Sequence, residues 1–293
     1  MSVWSSQAQA AEPSVLSQPM TEYLATTERL EDIALRLAGA AGGQCANGWR
    51  HPGVSTHSRA DYPSELQAEA SRLVGDIPII RRVTDPALAG RIAPGDVLLG
   101  LDGAPAASGS LALQARLSTG RIIVATGGTE RTVRHDWPRL CYRPVRIVPG
   151  WDVSARTTAD AVELSRGLLR YVRTEDELAF ALAHELSHFM LGHPQVLARA
   201  RAEGRRRPAL SRQLEEEADR GAVFLMARAG YATGAGLDFI ERSSVLRDVP
   251  LFGLSSHPSR SSRLRKMRTT LGQLPPPDAD LSIRAFVDAT ATS

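Results

Sequence analysis

The sequence has 293 residues and almost no lysine: among its 35 basic residues, Lys266 stands alone against arginines. Aromatic residues are scarce at 5%, and there are two cysteines, Cys45 and Cys141. No stretch approaches the ~18 consecutive apolar residues of a membrane span, so no transmembrane segment is expected. The net charge of +3 is too small to point to nucleic acid. A nucleic-acid binder would concentrate charge on a stripe with interleaved aromatics. The one dense run, Arg199 to Arg207, contains no aromatic residue and reads as a solvated helix end and loop. Hydrophobic residues make up 43% and charged residues 23%, a balance that excludes disorder and indicates a globular chain with a sizeable core.

Residues 1–20 lack periodic apolar pattern and read as a disordered tail or signal remnant. Ala8-Gln9-Ala10 resembles an A-x-A cleavage site, without the basic and apolar regions that precede one. Leu24, Leu30, Ile33, Ala34 and Leu37 recur at helical spacing, so Thr21 to Ala40 is predicted helical and ends at Gly42-Gly43. Residues 46–63 are polar and turn-rich, and Ser64 to Leu73 fits a short helix. Strands are predicted over Ile77–Val83 and Val97–Leu101, with a short helix Asp85–Ile92 capped by Asp85 between them. Ser110–Leu117 fits another short helix, and Arg121–Ala125 with Arg131–Arg134 a hairpin around Gly127-Gly128.

The string Ala87-Leu88-Ala89-Gly90-Arg91-Ile92-Ala93-Pro94-Gly95-Asp96-Val97-Leu98-Leu99-Gly100-Leu101-Asp102-Gly103 resembles a PDZ domain, a likeness extending over about residues 46–138. No convincing carboxylate-binding loop precedes its first strand, so a positioning role is as compatible as capture of peptide tails. Cys45 lies just before this block and Cys141 just after it. A disulfide there would pin the points where an inserted module leaves and rejoins its host.

Beyond Cys141, strand patterns return at Val145–Val148 and Ala161–Leu164. Thr174-x-x-Glu177 is a capping box that opens a helix to about Leu191, stopped by Gly192 and Pro194. A second long helix is predicted from Leu210 to Ala229 and a last one over Arg260–Leu271. The tail with Pro275-Pro276-Pro277 reads as loosely ordered.

The first of these helices contains His184-Glu185-Leu186-Ser187-His188, an H-E-x-x-H motif. Residues four apart share a helix face, so both imidazoles can reach one ion, and imidazole nitrogen suits zinc. Glu185 leans the same way and can serve as the base for an attacking water. A catalytic zinc needs a third protein ligand and an open position. Glu215 and Asp219 are candidates on one face of the second helix, whereas Glu216 and Glu217 read as solvated. His193 lies nine residues from His184, about half a turn out of phase on a continuous helix, and reads as a non-ligand.

Together with Glu215-x-x-Ala218-Asp219, Gly230-Tyr231 and Ser256-His257-Pro258-Ser259, the motif is similar to the gluzincin metallopeptidases of the HtpX, CAAX-prenyl-endopeptidase and BepA group, over about residues 145–270. The resemblance implies Glu215 as third zinc ligand and Asp219 as the partner that holds a ligating histidine. It implies His257 as a histidine that approaches the metal, and Arg263 as a basic residue near it. The family often has Asn-Ala on the strand beside its site; here Ser154-Ala155 stands there. The fold class expected is α+β: a mainly helical zincin-type domain with an inserted PDZ-like, β-rich module. The divisions are 1–20 tail, 21–45 N-terminal helix of the peptidase, 46–141 PDZ-like block, 142–272 peptidase and 273–293 tail.

The function expected is a zinc metalloendopeptidase with one Zn2+ per chain. The resemblance points to unfolded or misassembled proteins as substrates, in the periplasm or cell envelope of a bacterium, with the cytoplasm as the alternative location. The competing reading is a catalytically silent PDZ-like adaptor, which would show a lost ligand or base.

Overall fold

The computed structural model describes residues 16–42, 49–101, 104–105, 120–136, 139–158, 161–204, 208–243 and 259–291. The chain divides into two compact units, one of residues 1–26 and 50–137, the other of residues 27–49 and 138–293. Helix and sheet are both present, so the fold is α+β. Cys141 is buried and disulfide-bonded, while Cys45, the other cysteine of the sequence, lies outside the described residues. The predicted helix Ser110–Leu117 lies outside them too.

The smaller unit is built on an antiparallel sheet. Its strands are β1 (Val54–His57), β2 (Ile79–Val83), β3 (Val97–Leu101), β4 (Ala104–Pro105), β5 (Arg121–Thr126) and β6 (Thr129–Arg134), in the order β1-β2-β3-β5-β6 with β4 also on β3. The turn-rich stretch 46–63 therefore contains a strand that composition concealed: Val54 is buried and opposite Val83. β2 starts at Ile79 rather than Ile77, since Pro78 has no N–H for a ladder and Ile77 is exposed. The helix expected over Asp85–Ile92 shrinks to a 3₁₀ turn, Pro86–Leu88. Asp85 caps it by accepting from the Ala87 N–H, and Gly90 at φ +75° breaks any continuation. Gly127 and Gly128, both at positive φ, close the β5–β6 hairpin. Ile80, Leu88, Leu98, Ile122 and Val124 form this unit's core.

The larger unit places a three-stranded sheet beside a helical bundle. Its strands are β7 (Val145–Val148), β8 (Ala155–Thr157) and β9 (Val162–Ser165); β9 lies centrally, antiparallel to β8 and parallel to β7. In chain order the helices are α1 (Gln18–Ala40), α2 (Gln67–Leu73, in the smaller unit), α3 (Arg166–Tyr171), α4 (Glu175–Met190), α5 (His193–Ala202), α6 (Pro208–Ala229), α7 (Gly234–Ser243), α8 (Arg260–Leu271) and α9 (Ile283–Thr290). Gln18–Met20 already belong to α1 and Met20 is buried, so the disordered tail expected over 1–20 stops short of them.

The α9 helix corrects the expectation of a loosely ordered tail. Ser282 caps it, and Ile283, Phe286 and Val287 are buried at helical spacing, with Phe286 stacked on Phe224 at 4.8 Å. Pro275-Pro276-Pro277 break the chain before this periodic pattern but do not extend into it. Burying one such large side chain contributes on the order of 1.5–3 kcal/mol.

Candidate metal centre

The α4 helix begins at Thr174, whose hydroxyl accepts from the Glu177 N–H, and acidic Glu175, Asp176 and Glu177 complement its positive end. The reciprocal half of the capping box is displaced by one residue: the Glu177 carboxylate takes the Arg173 N–H and a bidentate grip from Arg242. From Glu177 to Phe189 every residue is buried, so α4 is the central helix of its unit. His184, Glu185 and His188 are thereby held on a rigid element rather than a loop.

The α6 helix crosses α4 closely. A Cβ added at Gly221 would lie 2.6 Å from the Ser187 hydroxyl oxygen, so only glycine admits this approach. It brings Glu215, near the start of α6 and fully buried, beside the two imidazoles.

His184 Nε2 and His188 Nε2 are 3.1 Å apart. Glu215 Oε2 lies 3.6 Å from His184 Nε2, and its Oε1 lies 3.4 Å from His188 Nε2. One atom from each of the three residues falls within 4.8 Å of the others. Two nitrogens each 2.0–2.1 Å from one tetrahedral zinc would be roughly 3.3 Å apart, so spacing and donor chemistry both fit the ion. Among the described residues this is the only group of its kind. Glu185 adds a second sign: its Oε1 is buried with no hydrogen-bond partner, while Oε2 accepts from the Thr157 hydroxyl at 2.8 Å. Thr157 Oγ1 also lies 2.7 Å from the Glu185 carbonyl oxygen, tying β8 to α4.

The electrostatics follow from these neighbours. Burial opposes a charge on His184, but hydrogen bonds to Asp219 and Glu215 outweigh it and raise its pKa from 6.5 to about 9 in the metal-free protein. Burial pushes Glu185 upward against the pull of His188 and His184, which suits a group that must hold a proton in mid-reaction. Asp219 is buried too, yet Arg263 drops its pKa to about 2. That guanidinium grips it through Nε at 2.8 Å and Nη2 at 2.6 Å, and Asp219 Oδ1 receives His184 Nδ1 at 3.0 Å.

Of the residues singled out in sequence, His184, Glu185, His188, Glu215, Asp219 and Arg263 come together; His257 lies outside the described residues. Glu217 corrects the reading as a solvated side chain. It is buried, it contacts His193 Nε2 at 3.2 Å, and its pKa falls to about 2 as these bonds overcome burial. Glu216 stays on the surface side and pairs with Lys266. His193 is not part of the grouped donors, and the helical phase used to set it aside does not apply. Gly192 at φ +75° ends α4, and His193 opens α5 with its Nδ1 2.8 Å from His188 Nδ1. Thr157 was missed because a lone threonine on a three-residue strand carries no motif.

Residues 154–203 and 205–271 match Peptidase family M48. Over those residues the chain is similar to a family of zinc-dependent peptidases, and the match spans His184, Glu185, His188, Glu215, Asp219 and Arg263. The protein is a metalloprotease, a hydrolase of peptide bonds. A search of curated proteins finds no significant match.

Proposed function

We propose that the protein is a zinc metalloendopeptidase in which His184, His188 and Glu215 hold one zinc ion per chain and Glu185 is the general base. The convergence of two imidazoles and a buried carboxylate from a different helix carries this reading. When bound, zinc supplies a Lewis acid that polarises a scissile carbonyl and lowers the pKa of water toward ~7.

The rest is done by this chain's own groups. The Thr157 hydroxyl occupies one oxygen of Glu185 and leaves Oε1 to accept a proton from the attacking water. Glu185 then passes that proton to the leaving amine. Asp219, charged by Arg263, accepts from His184 Nδ1–H and keeps Nε2 aimed at the ion. β8 pairs on one side only among the described residues, so an extended substrate can add to its free edge through backbone hydrogen bonds. Recognition by backbone favours unfolded or misassembled chains, and residence in a bacterial cell envelope accords with that substrate class. The antiparallel sheet of residues 54–134, carrying the Gly95-Asp96-Val97-Leu98 string, is read as PDZ-like and as a module that presents substrate. His257 is read as a group that approaches the metal.

Zinc content and casein cleavage test this on the wild type and Glu185→Gln. The variant should keep its zinc and cleave about 10²–10⁴-fold more slowly. Cleavage at the wild-type rate would remove Glu185 from the mechanism and favour another base.

A further inference from the structure

We propose that His193 is a positioning residue for the metal centre: through it, Glu217 holds His188 as Asp219 holds His184. This rests on the ligand set proposed above.

Both ligating imidazoles turn Nε2 toward the shared point, with 3.1 Å between those atoms. A neutral imidazole that ligates through Nε2 carries its proton on Nδ1. For His184 that proton has an obvious acceptor, Asp219 Oδ1 at 3.0 Å. The Nδ1 of His188 faces another ring, with His193 Nδ1 at 2.8 Å. Two nitrogens at that distance share one proton, so the polarity of the pair is fixed by the metal. His188 must donate, and His193 Nδ1 must accept.

The remaining proton of His193 then sits on Nε2, where Glu217 Oε2 lies 3.2 Å away. The direction is consistent along the whole line: His188 Nδ1–H to His193 Nδ1, and His193 Nε2–H to the Glu217 carboxylate. That carboxylate is itself fixed, by Gln213 Nε2 at 2.9 Å and Arg284 Nη1 at 3.4 Å. Arg284 also donates to the Leu191 carbonyl at the end of α4. Each ligating histidine therefore ends on a carboxylate backed by an arginine: His184 on Asp219 and Arg263 directly, His188 on Glu217 and Arg284 through one more ring.

The backbone is built for this. His193 is 1% exposed, although it follows directly on a helix end. The left-handed Gly192 at φ +75° lets the chain reverse within one residue, and the two rings meet edge-on, with centroids 4.9 Å apart and planes at 77°. A buried imidazole with both nitrogens engaged has no role as a solvent-exposed base or as a third imidazole ligand. It fits a relay that fixes the tautomer and ring orientation of its neighbour.

The test uses the full chain in four forms: wild type, His193→Leu, His193→Asn and Glu217→Gln. Zinc affinity is measured by competition with a colorimetric chelator, alongside thermal unfolding of the metal-free proteins. His193→Leu should weaken zinc binding about 10–100-fold, the range seen when such outer partners are removed. His193→Asn offers an amide oxygen to His188 Nδ1–H and should recover most of that loss, whatever its unfolding temperature. In the zinc-loaded wild type, long-range ¹⁵N–¹H NMR should find His193 as the Nε2–H form and His188 as the Nδ1–H form. Zinc held by His193→Leu as tightly as by the wild type would overturn the relay, and so would an unrescued asparagine variant or the opposite tautomers. Should the leucine variant not fold, Glu217→Gln reads the same line: several-fold weaker zinc supports it and wild-type affinity overturns it. A wild type that binds no zinc would instead overturn the ligand set itself.

Discussion

Histidines withdrawn from solvent occur in both units: His51 is buried and His57 half-buried in the smaller one, and His184 and His193 are buried in the larger. In the smaller unit, His51 Nδ1 accepts from the Gly53 N–H at 3.1 Å and His57 Nδ1 meets the Tyr62 hydroxyl at 2.5 Å. Burial, helped by Arg82 and Arg81, lowers both pKa values from 6.5 to about 4. In the larger unit, His184 is buried still more completely, yet Asp219 and Glu215 lift it to about 9. His135 in the smaller unit also touches a carboxylate, Asp85 at 2.7 Å, and the same Asp85 pulls on His51, yet burial still keeps His51 low. The contrast teaches that burial, with cations nearby, makes a histidine neutral, and that one carboxylate is not enough to reverse it, since His193 beside Glu217 is also lowered to about 4. Convergent carboxylates make a histidine a ligand site, because they hold positive charge whether it arrives as a proton or as a metal ion.

The largest effect that would break this contrast comes from the charge behind the site. Arg263→Met strips the buried Asp219 of its cation, and the metal-free protein should lose about 3–5 kcal/mol of stability, measured by urea unfolding. A loss under 1 kcal/mol would mean that Asp219 is not charged, and the carboxylate-held picture of His184 would fail.

Acid should weaken both units, since the pKa values of His193, Glu217 and Asp219 in the larger one are also lowered, to about 4, 2 and 2, whereas the loss in base is expected of the larger unit through His184. The folded-state pKa of about 4 for His51 and His57 lies below the ordinary 6.5. Their contribution is therefore intact above pH 6.5 and is lost as pH falls toward 4, by up to ~3 kcal/mol for each histidine. For metal-free His184, the folded pKa of about 9 lies above 6.5. Its contribution is intact below pH 6.5 and is lost as pH rises toward 9, by up to ~3 kcal/mol. Hydrogen exchange across a pH series reads each unit separately. The alkaline loss should vanish on zinc loading, since the ion replaces the proton. A metal-free larger unit whose protection does not fall between pH 6.5 and 9, or a smaller unit whose protection falls there through its histidines, would contradict the comparison.

A smaller and sharper test addresses helix packing. Gly221→Ala would set a Cβ against Ser187 and should cost about 1–3 kcal/mol. It should also weaken zinc binding, because Glu215 rides on the same helix; unchanged affinity would show that the α4–α6 spacing does not set the site.

Both ends of α4 and the C-terminal end of α6 were legible in sequence because capping residues and helix-stopping glycines mark them. Thr174 opens α4 and Gly230, at φ +72°, follows α6. The convergence on Glu215 was legible only through a motif, since nothing local states which helix meets which. The smaller unit was harder. β1 is four residues of mixed polarity whose burial depends on β2, a partner distant in sequence. Glu217 was misread as solvated, and its contact with His193 went unseen, for a related reason. A single glycine with positive φ re-aims the chain, and phase counted along an unbroken helix cannot anticipate that. Their mutual contact was the missing signal: a histidine just past a helix-ending glycine, and an acid two residues from a proposed ligand.

Zinc K-edge X-ray absorption on the full-length zinc-loaded protein tests the central claim most directly. Two imidazole nitrogens at about 2.0–2.1 Å, plus oxygen donors of which one is lost in Glu215→Leu, are expected. A wild-type spectrum with fewer than two imidazoles, or one that Glu215→Leu leaves unchanged at full zinc occupancy, would contradict it.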